Sequence, residues 1–148
     1  MRIVPLIVIV AICQANSTFG NWKMNAARST FAGGGQPKSL SVRIEPHAKG
    51  EVFTLDRVES NGSATSSSSI LYLDGTPREI QDFDCAGKQS SSKLDGRTIE
   101  IKRTCAGTEG TWLIRQSLKA STELLIDITE IWQPPGPSRE WHMILEKQ

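Results

Sequence analysis

The chain has 148 residues, 38% of them hydrophobic, which suffices for one domain with a single core. Its 17 basic and 16 acidic side chains nearly balance, and removing residues 1–15 takes away only Arg2. A chain with this charge balance lacks the basic surface on which nucleic-acid binding depends, so we expect no nucleic-acid partner.

The first fifteen residues have the layout of a secretory signal peptide. Arg2 gives a positive start, residues 3–12 are apolar apart from Pro5, and small residues precede a cleavage point after Ala15. This apolar stretch is too short for a transmembrane helix, which needs about 20 residues. We therefore predict a signal peptide at 1–15 and one exported domain at 16–148, periplasmic or extracellular.

Two other interpretations of this segment stay open. It is alternatively an N-terminal strand or core helix, or it carries a lipid anchor at Cys13. Ile12 stands where a lipid-anchor site favours a small residue, which argues against the anchor. No long apolar run follows residue 16, so no transmembrane segment is expected in the mature chain.

Period-two alternation begins at residue 39, where Leu40, Val42 and Ile44 alternate with polar residues. Residues 16–38 are expected to be irregular, with one helical turn at 26–28. Further strands are predicted at 52–59, 64–73, 78–83, 90–93, 97–104, 111–118, 123–132 and 139–146. Their number and spacing favour an all-β, antiparallel up-and-down β-barrel of about eight to nine strands that closes on itself, with a sandwich as the alternative.

Cys85 and Cys105 are predicted to form a structural disulfide. They remain after residues 1–15 are removed, and an even cysteine count in an exported chain favours pairing. If a three-residue turn with a left-handed Gly96 joins the adjacent strands, Lys93 faces Arg97 and an unbroken register places the two cysteines opposite each other. A two-residue turn would offset them by one position.

The N-terminal third carries a family resemblance. Gly20-Asn21-Trp22 matches the Gly-x-Trp signature at the start of lipocalins, although Gly110-Thr111-Trp112 matches it too. A longer pattern resembles the opening of small secreted lipocalin-like proteins of bacteria: Trp22-Lys23-Met24-Asn25, Ser29, Phe31, Gly35, Pro37-Lys38-Ser39, Val42 and Ile44-Glu45. The remaining two thirds agree with that family in strand number and length only.

The resemblance implies a calycin-type barrel in which Trp22 plugs the closed end. It also makes Arg139, before the last strand, a conceivable counterpart of the arginine that packs on the signature tryptophan. The chain has no convincing Thr-Asp-Tyr motif, so the resemblance leaves the ligand class open.

Aromatic residues on the later strands are the best candidates for a ligand pocket. Three of the four tryptophans fall on three successive predicted strands, and a shared inward face would bring them together. A core filled by its own side chains is the alternative, and Trp22 is assigned to that core. The candidate ligand-binding residues are Trp112, Trp132 and Trp141, with Ser66, Ser68 and Gln116 as interior polar groups.

No catalytic residue, metal site or cofactor is assigned. The two histidines, His47 and His142, are too few and too distant for a zinc site. His142 and Asp127 on the neighbouring strand form a conceivable base–orienter pair, and Asp82 with Asp84 are paired carboxylates. The sequence has neither a nucleophile elbow nor a phosphate-binding glycine loop.

Three function hypotheses follow. The leading one is an exported barrel that binds a small hydrophobic or amphipathic ligand. The second is a cell-envelope interaction module, a filled barrel whose loops at 31–37 and 133–137 contact a protein or glycan. The third is an enzyme that uses a residue of perturbed pKa inside the barrel.

Overall fold

The computed structural model describes residues 17–82, 85–107, 110–132 and 138–148. The predicted signal peptide with Cys13, Asp84 and the loop 133–137 lie outside these ranges. Within the ranges, no helix has the length and hydropathy needed to cross a bilayer.

Ten strands and two short 3₁₀ turns make up the described part of the fold. The turns, Ala26–Arg28 and Ala32–Gly34, lie between the first two strands, and the first confirms the helical turn predicted at 26–28. The strands are β1 (Gly20–Met24), β2 (Ser39–His47), β3 (Gly50–Val58), β4 (Ala64–Leu71), β5 (Arg78–Gln81), β6 (Ala86–Lys93), β7 (Thr98–Cys105), β8 (Gly110–Ala120), β9 (Glu123–Trp132) and β10 (Arg139–Lys147). The five-residue strand β1 lies in the region that was expected to be irregular, so that expectation is wrong there.

The strands form one antiparallel sheet in the order β4-β3-β2-β1-β10-β9-β8-β7-β6-β5. Strands that are neighbours in sequence pair with each other, except β4 and β5, and β1 also pairs with β10, which curls the sheet into a half-barrel. The all-β, up-and-down prediction is confirmed. The predicted closure is wrong, because β4 and β5 are the two edges of the sheet and no pairing joins them in the described ranges.

The inward face of the sheet carries the core. Alternation on β2 directs its apolar residues inward as predicted, and they meet inward residues of β1, β8, β9 and β10. The buried members of this cluster are Trp22, Met24, Leu40, Val42, Ile44, Leu118, Leu124, Ile126, Met143 and Leu145. A smaller cluster of Leu71, Ile99 and Ile101 continues the core towards the edges.

Trp22 is fully buried in the larger cluster. Its indole Nε1 donates a hydrogen bond of 2.8 Å to the carbonyl oxygen of Thr18, which satisfies its one polar group. The Lys147 ammonium lies 5.2 Å from the centre of the ring. The cation over the Trp22 ring is therefore Lys147, and not Arg139 as the resemblance implies. Arg139 lies against Trp132 and Trp141 instead.

The Cys85–Cys105 disulfide is confirmed, with the two Cα atoms 5.1 Å apart. The register used to predict it is wrong by two residues, because Lys93 pairs with Ile99 and Cys105 pairs with Gly87.

The error comes from the turn between β6 and β7. Gly96 does not adopt a positive φ, and the amide of Leu94 donates to the carbonyl of Thr98, so the loop is longer than three residues. Cys85 precedes β6 and reaches Cys105 from beyond the end of the ladder.

Replacing Gly87 by alanine is expected to destabilise the protein by about 1–3 kcal/mol. A Cβ at this position would collide with the carbonyl oxygen of Thr104 on the paired strand. The matched control is Gly96→Ala, where a Cβ meets nothing within 4 Å and φ is not positive. Urea denaturation checks both, and equal midpoints for the two variants would contradict the close approach at Gly87.

Removing the disulfide by the double substitution Cys85→Ser and Cys105→Ser is expected to lower the free energy of unfolding by about 3 kcal/mol. The physical reason is that the bond spans 20 residues and restricts the unfolded chain. Urea denaturation with and without dithiothreitol measures the effect. The double variant serves as the control, because it should not respond to the reductant, and an equally small response of the unmodified chain would contradict the prediction.

Candidate functional site

A transverse row of inward side chains crosses five neighbouring strands. Successive cross-strand pairs connect Gln89 to Arg103, Arg103 to Trp112, Trp112 to Glu130 and Glu130 to Arg139. Because directly paired residues of an antiparallel sheet share a face, all five side chains point into the half-barrel. This row is called the polar row below.

The apolar row lies one step closer to the core on the same strands. It runs through Ser91, Ile101, Ile114, Ile128 and Trp141, again by direct cross-strand pairing. Ile114 and Ile128 pack against the buried core cluster but are themselves only half-buried. Because part of their surface is exposed, solvent reaches the apolar row, and the interior is not packed solid around these two residues.

The three tryptophans that were predicted to line a pocket lie together at the apolar row and the polar row. Trp112 and Trp141 stack with ring centres 5.3 Å apart and planes 19° from parallel, although β9 separates their strands. Trp132 stands on the inward face of β9 two residues beyond Glu130. All three indoles are half-buried, so each keeps surface available for contact.

Arg139 lies between two of these indoles. Its guanidinium carbon is 5.7 Å from the ring centre of Trp132 and 5.8 Å from that of Trp141. Its Nε and Nη2 donate to the same carboxylate oxygen of Glu130, at 2.8 and 2.7 Å. The side chain of Glu130 is only 4% exposed, whereas that of Arg139 is 52% exposed.

Arg103, next to Gln89 at the other end of the polar row, is held more tightly. Its Nη2 contacts the Asp82 carboxylate at 2.7 Å, and its Nε and Nη2 donate to the side-chain oxygen of Gln89 at 3.0 and 2.9 Å. The polar row therefore presents two guanidinium groups that each already bind a carboxylate.

The expectation that Ser66 and Ser68 face the interior is wrong. Both are exposed on the outward face of β4, where Ser66 donates to Asp56 at 2.6 Å and Ser68 lies 3.0 Å from the Thr54 hydroxyl. Because β4 contains four consecutive serines, both of its faces carry the same side chain, and the sequence does not show which serines point inward. Pairing with β3 turns the alternate serines, 67 and 69, inward opposite Leu55 and Phe53.

Gln116 is fully interior, as predicted, and contacts a carboxylate that sequence reasoning missed. Its Nε2 donates to Glu51 at 3.3 Å, and its Oε1 is buried without a hydrogen-bond partner in the described ranges. Glu51 is 4% exposed, and burial raises the pKa of its carboxyl above the usual value, opposed by the Gln116 hydrogen bond and the Lys93 charge. The sequence does not reveal Glu51, because its pattern predicts a strand that starts at residue 52 and Val52-Phe53 leaves the parity of that strand ambiguous.

A cleft of about 340 Å³ lies between the unpaired edges β4 and β5. The inward residues Ser69, Gln89 and Ser91 contribute to its lining, so the gap between the edges leads to the concave interior. On its outer side, the guanidinium carbon of Arg78 lies 3.8 Å from the centre of the Tyr72 ring.

The base–orienter pair that the sequence suggests, His142 and Asp127, is formed, but it lies on the outer surface. His142 Nδ1 and Asp127 Oδ1 lie 2.6 Å apart on paired positions of β10 and β9, with side chains 46% and 44% exposed. His47 lies far along the chain at the end of β2, where its Nδ1 accepts from the Lys49 amide. Within the described residues, no group of three or more His, Cys, Asp or Glu side chains forms a potential metal site.

The strand order and the half-buried apolar row define the class of the described part of the chain: an open, ten-stranded antiparallel half-barrel. Among solved structures, the chain is similar to a Schistosoma mansoni fatty acid binding protein in complex with arachidonic acid. The TM-score is 0.54 and the identity 10%, and the match covers 88% of this chain and 95% of that chain. No family model and no curated protein matches the sequence. The likeness shows the fold, and the neighbour is a lipid-binding protein.

Replacing Glu51 by glutamine is expected to stabilise the protein at neutral pH more than at pH 4. A carboxyl whose pKa is raised by folding binds more protons in the folded state, so the unmodified chain loses stability as the pH rises from the unfolded pKa through the folded one. Glutamine removes that loss and can still accept the bond from Gln116. Urea denaturation at pH 4, 6 and 8 measures the difference.

The control for this pH series is Glu45→Gln, an exposed position on the adjacent strand β2. It should leave the shape of the stability profile unchanged. A stability gain from Glu51→Gln that is the same at all three pH values would contradict the role assigned to burial of this carboxyl.

Proposed function

We propose that this chain is an exported barrel that binds a small, partly apolar molecule in its concave interior. The observation that carries the proposal is the apolar row. Ile114 and Ile128 face inward next to a closed core but are only half-buried. Half-buried apolar side chains on a concave wall are what an apolar ligand covers when it binds.

The ligand's apolar part lies along the apolar row and against the stacked indoles of Trp112 and Trp141. Each Å² of apolar surface that leaves water contributes about 25 cal/mol, and the indoles offer large, rigid contact areas. The polar row at the outer rim meets the ligand's polar end. Gln116 and Glu51 are buried and lie deeper than the apolar row.

Export is supported by two features of the sequence and fold. Residues 1–15 have the pattern of a signal peptide. The disulfide between Cys85 and Cys105 is of a kind that persists in oxidising compartments and is rare in reducing ones. The similarity to a fatty acid binding protein supports binding of an apolar ligand by this fold.

Binding is tested with the uncharged fluorescent probe N-phenyl-1-naphthylamine, whose emission rises in an apolar environment. The variant Ile128→Trp places a larger side chain in the middle of the apolar row, and we expect it to weaken probe binding about tenfold or more, since added bulk there fills the space that the probe needs. The matched control is Ile131→Trp, the same change on the outward face of the same strand, where the side chain is 44% exposed. It should bind the probe as the unmodified chain does.

Two outcomes would contradict the proposal. One is absence of any saturable probe binding to the folded, unmodified chain. The other is an equal loss in both variants, which would place the probe on the outer surface. Native mass spectrometry of the exported chain adds an independent readout, because a copurified ligand appears as releasable mass.

A further inference from the structure

The two arginines of the polar row are each paired with a carboxylate of the protein. Arg139 binds Glu130 through two donors, and Arg103 binds Asp82 and Gln89. Among the described residues, each of these two guanidinium groups therefore lies against a carboxylate at the rim of the apolar row.

The carboxylate beside Arg139 is fixed in place by burial. The Glu130 side chain is 4% exposed, and Trp112 and Arg139 flank it in the polar row. A buried carboxylate that loses its partner is strongly destabilising, so Glu130 retains Arg139 when a ligand arrives. An incoming anion meets a guanidinium whose charge is already compensated, next to a negative charge that cannot move away.

Arg139 nevertheless keeps hydrogen-bond donors for a ligand. A guanidinium has five N–H groups, and the bonds to Glu130 use only Nε and one N–H of Nη2. Its Nη1 makes no hydrogen bond within the described part of the chain, and the side chain is half exposed between two indoles. A hydroxyl or carbonyl oxygen can accept from these groups without adding charge.

Resting on the proposed function, we propose that the site selects an uncharged amphiphile, such as a long-chain alcohol, ester or amide, over the corresponding carboxylate. Glu130 is the specificity-determining residue, because it neutralises Arg139 while leaving Nη1 to donate to the neutral head group. The apolar part of the ligand lies on the apolar row and the stacked indoles.

The test compares decan-1-ol with decanoate at pH 8, where decanoate is ionised, as competitors of N-phenyl-1-naphthylamine. Both have ten carbons, so their apolar parts are closely matched. For the unmodified chain we expect decan-1-ol to bind about tenfold or more tightly than decanoate, because the acid places a charge beside Glu130. Methyl decanoate, a second neutral ligand, should behave like the alcohol.

The variant Glu130→Gln frees the charge of Arg139 and is expected to reduce the alcohol-to-acid preference by about tenfold, mainly by tightening decanoate binding. The matched control is Glu140→Gln, an exposed, outward carboxylate on β10 next to Arg139 in sequence. It should leave the preference unchanged. Thermal unfolding of each variant confirms that a folded chain is being compared.

The outcomes separate the two proposals. Tighter binding of decanoate than of decan-1-ol to the unmodified chain overturns the selectivity but leaves a ligand-binding barrel. An unchanged preference in folded Glu130→Gln overturns the role of Glu130. Failure of the probe and all three ligands to bind overturns the proposed function itself. The comparison on the unmodified chain decides the selectivity even if Glu130→Gln does not fold.

Discussion

The pairing of β1 with two strands at once is the constraint on which the rest of the structure depends. Only five residues long, β1 hydrogen-bonds β2 on one side and β10 on the other, and so joins the first and last parts of the chain in one curved sheet. Trp22 fixes this strand, because its ring is fully buried and its one donor is satisfied by Thr18. Curvature and inward parity of every other strand follow from these pairings, and with them the two rows of the candidate site.

Much of this could be predicted where one face of a strand is apolar and the other polar. Leu40, Val42 and Ile44 alternate clearly and are buried as expected. The inward placement of Trp112, Trp132 and Trp141 followed from the same rule. Strong alternation specifies which face is buried, because a shift of one residue would expose the whole apolar set.

The rest could not be predicted, for separate physical reasons. Serines on both faces of β4 carry no parity, so Ser66 and Ser68 were placed on the wrong side. The β6–β7 register depends on a turn in which Gly96 does not use the left-handed conformation available to it. The ion pair of Arg139 and Glu130 joins strands through a register that only the folded sheet fixes, and the family resemblance pointed Arg139 towards Trp22 instead of Glu130.

The unpaired edges give this half-barrel a property that a closed barrel lacks. Nine ladders connect the ten strands that the structure describes, so backbone hydrogen bonds among them do not fix the circumference. The amides of Leu73 and Gly75 tie one end of the gap by donating to the hydroxyl and the carbonyl oxygen of Ser91. Widening of β4 against β5 about that tie breaks no ladder bond, and the disulfide stiffens the neighbouring β6–β7 pair rather than the gap. The width of the half-barrel is therefore the dimension that can change without unpairing the described strands, since no ladder joins β4 to β5.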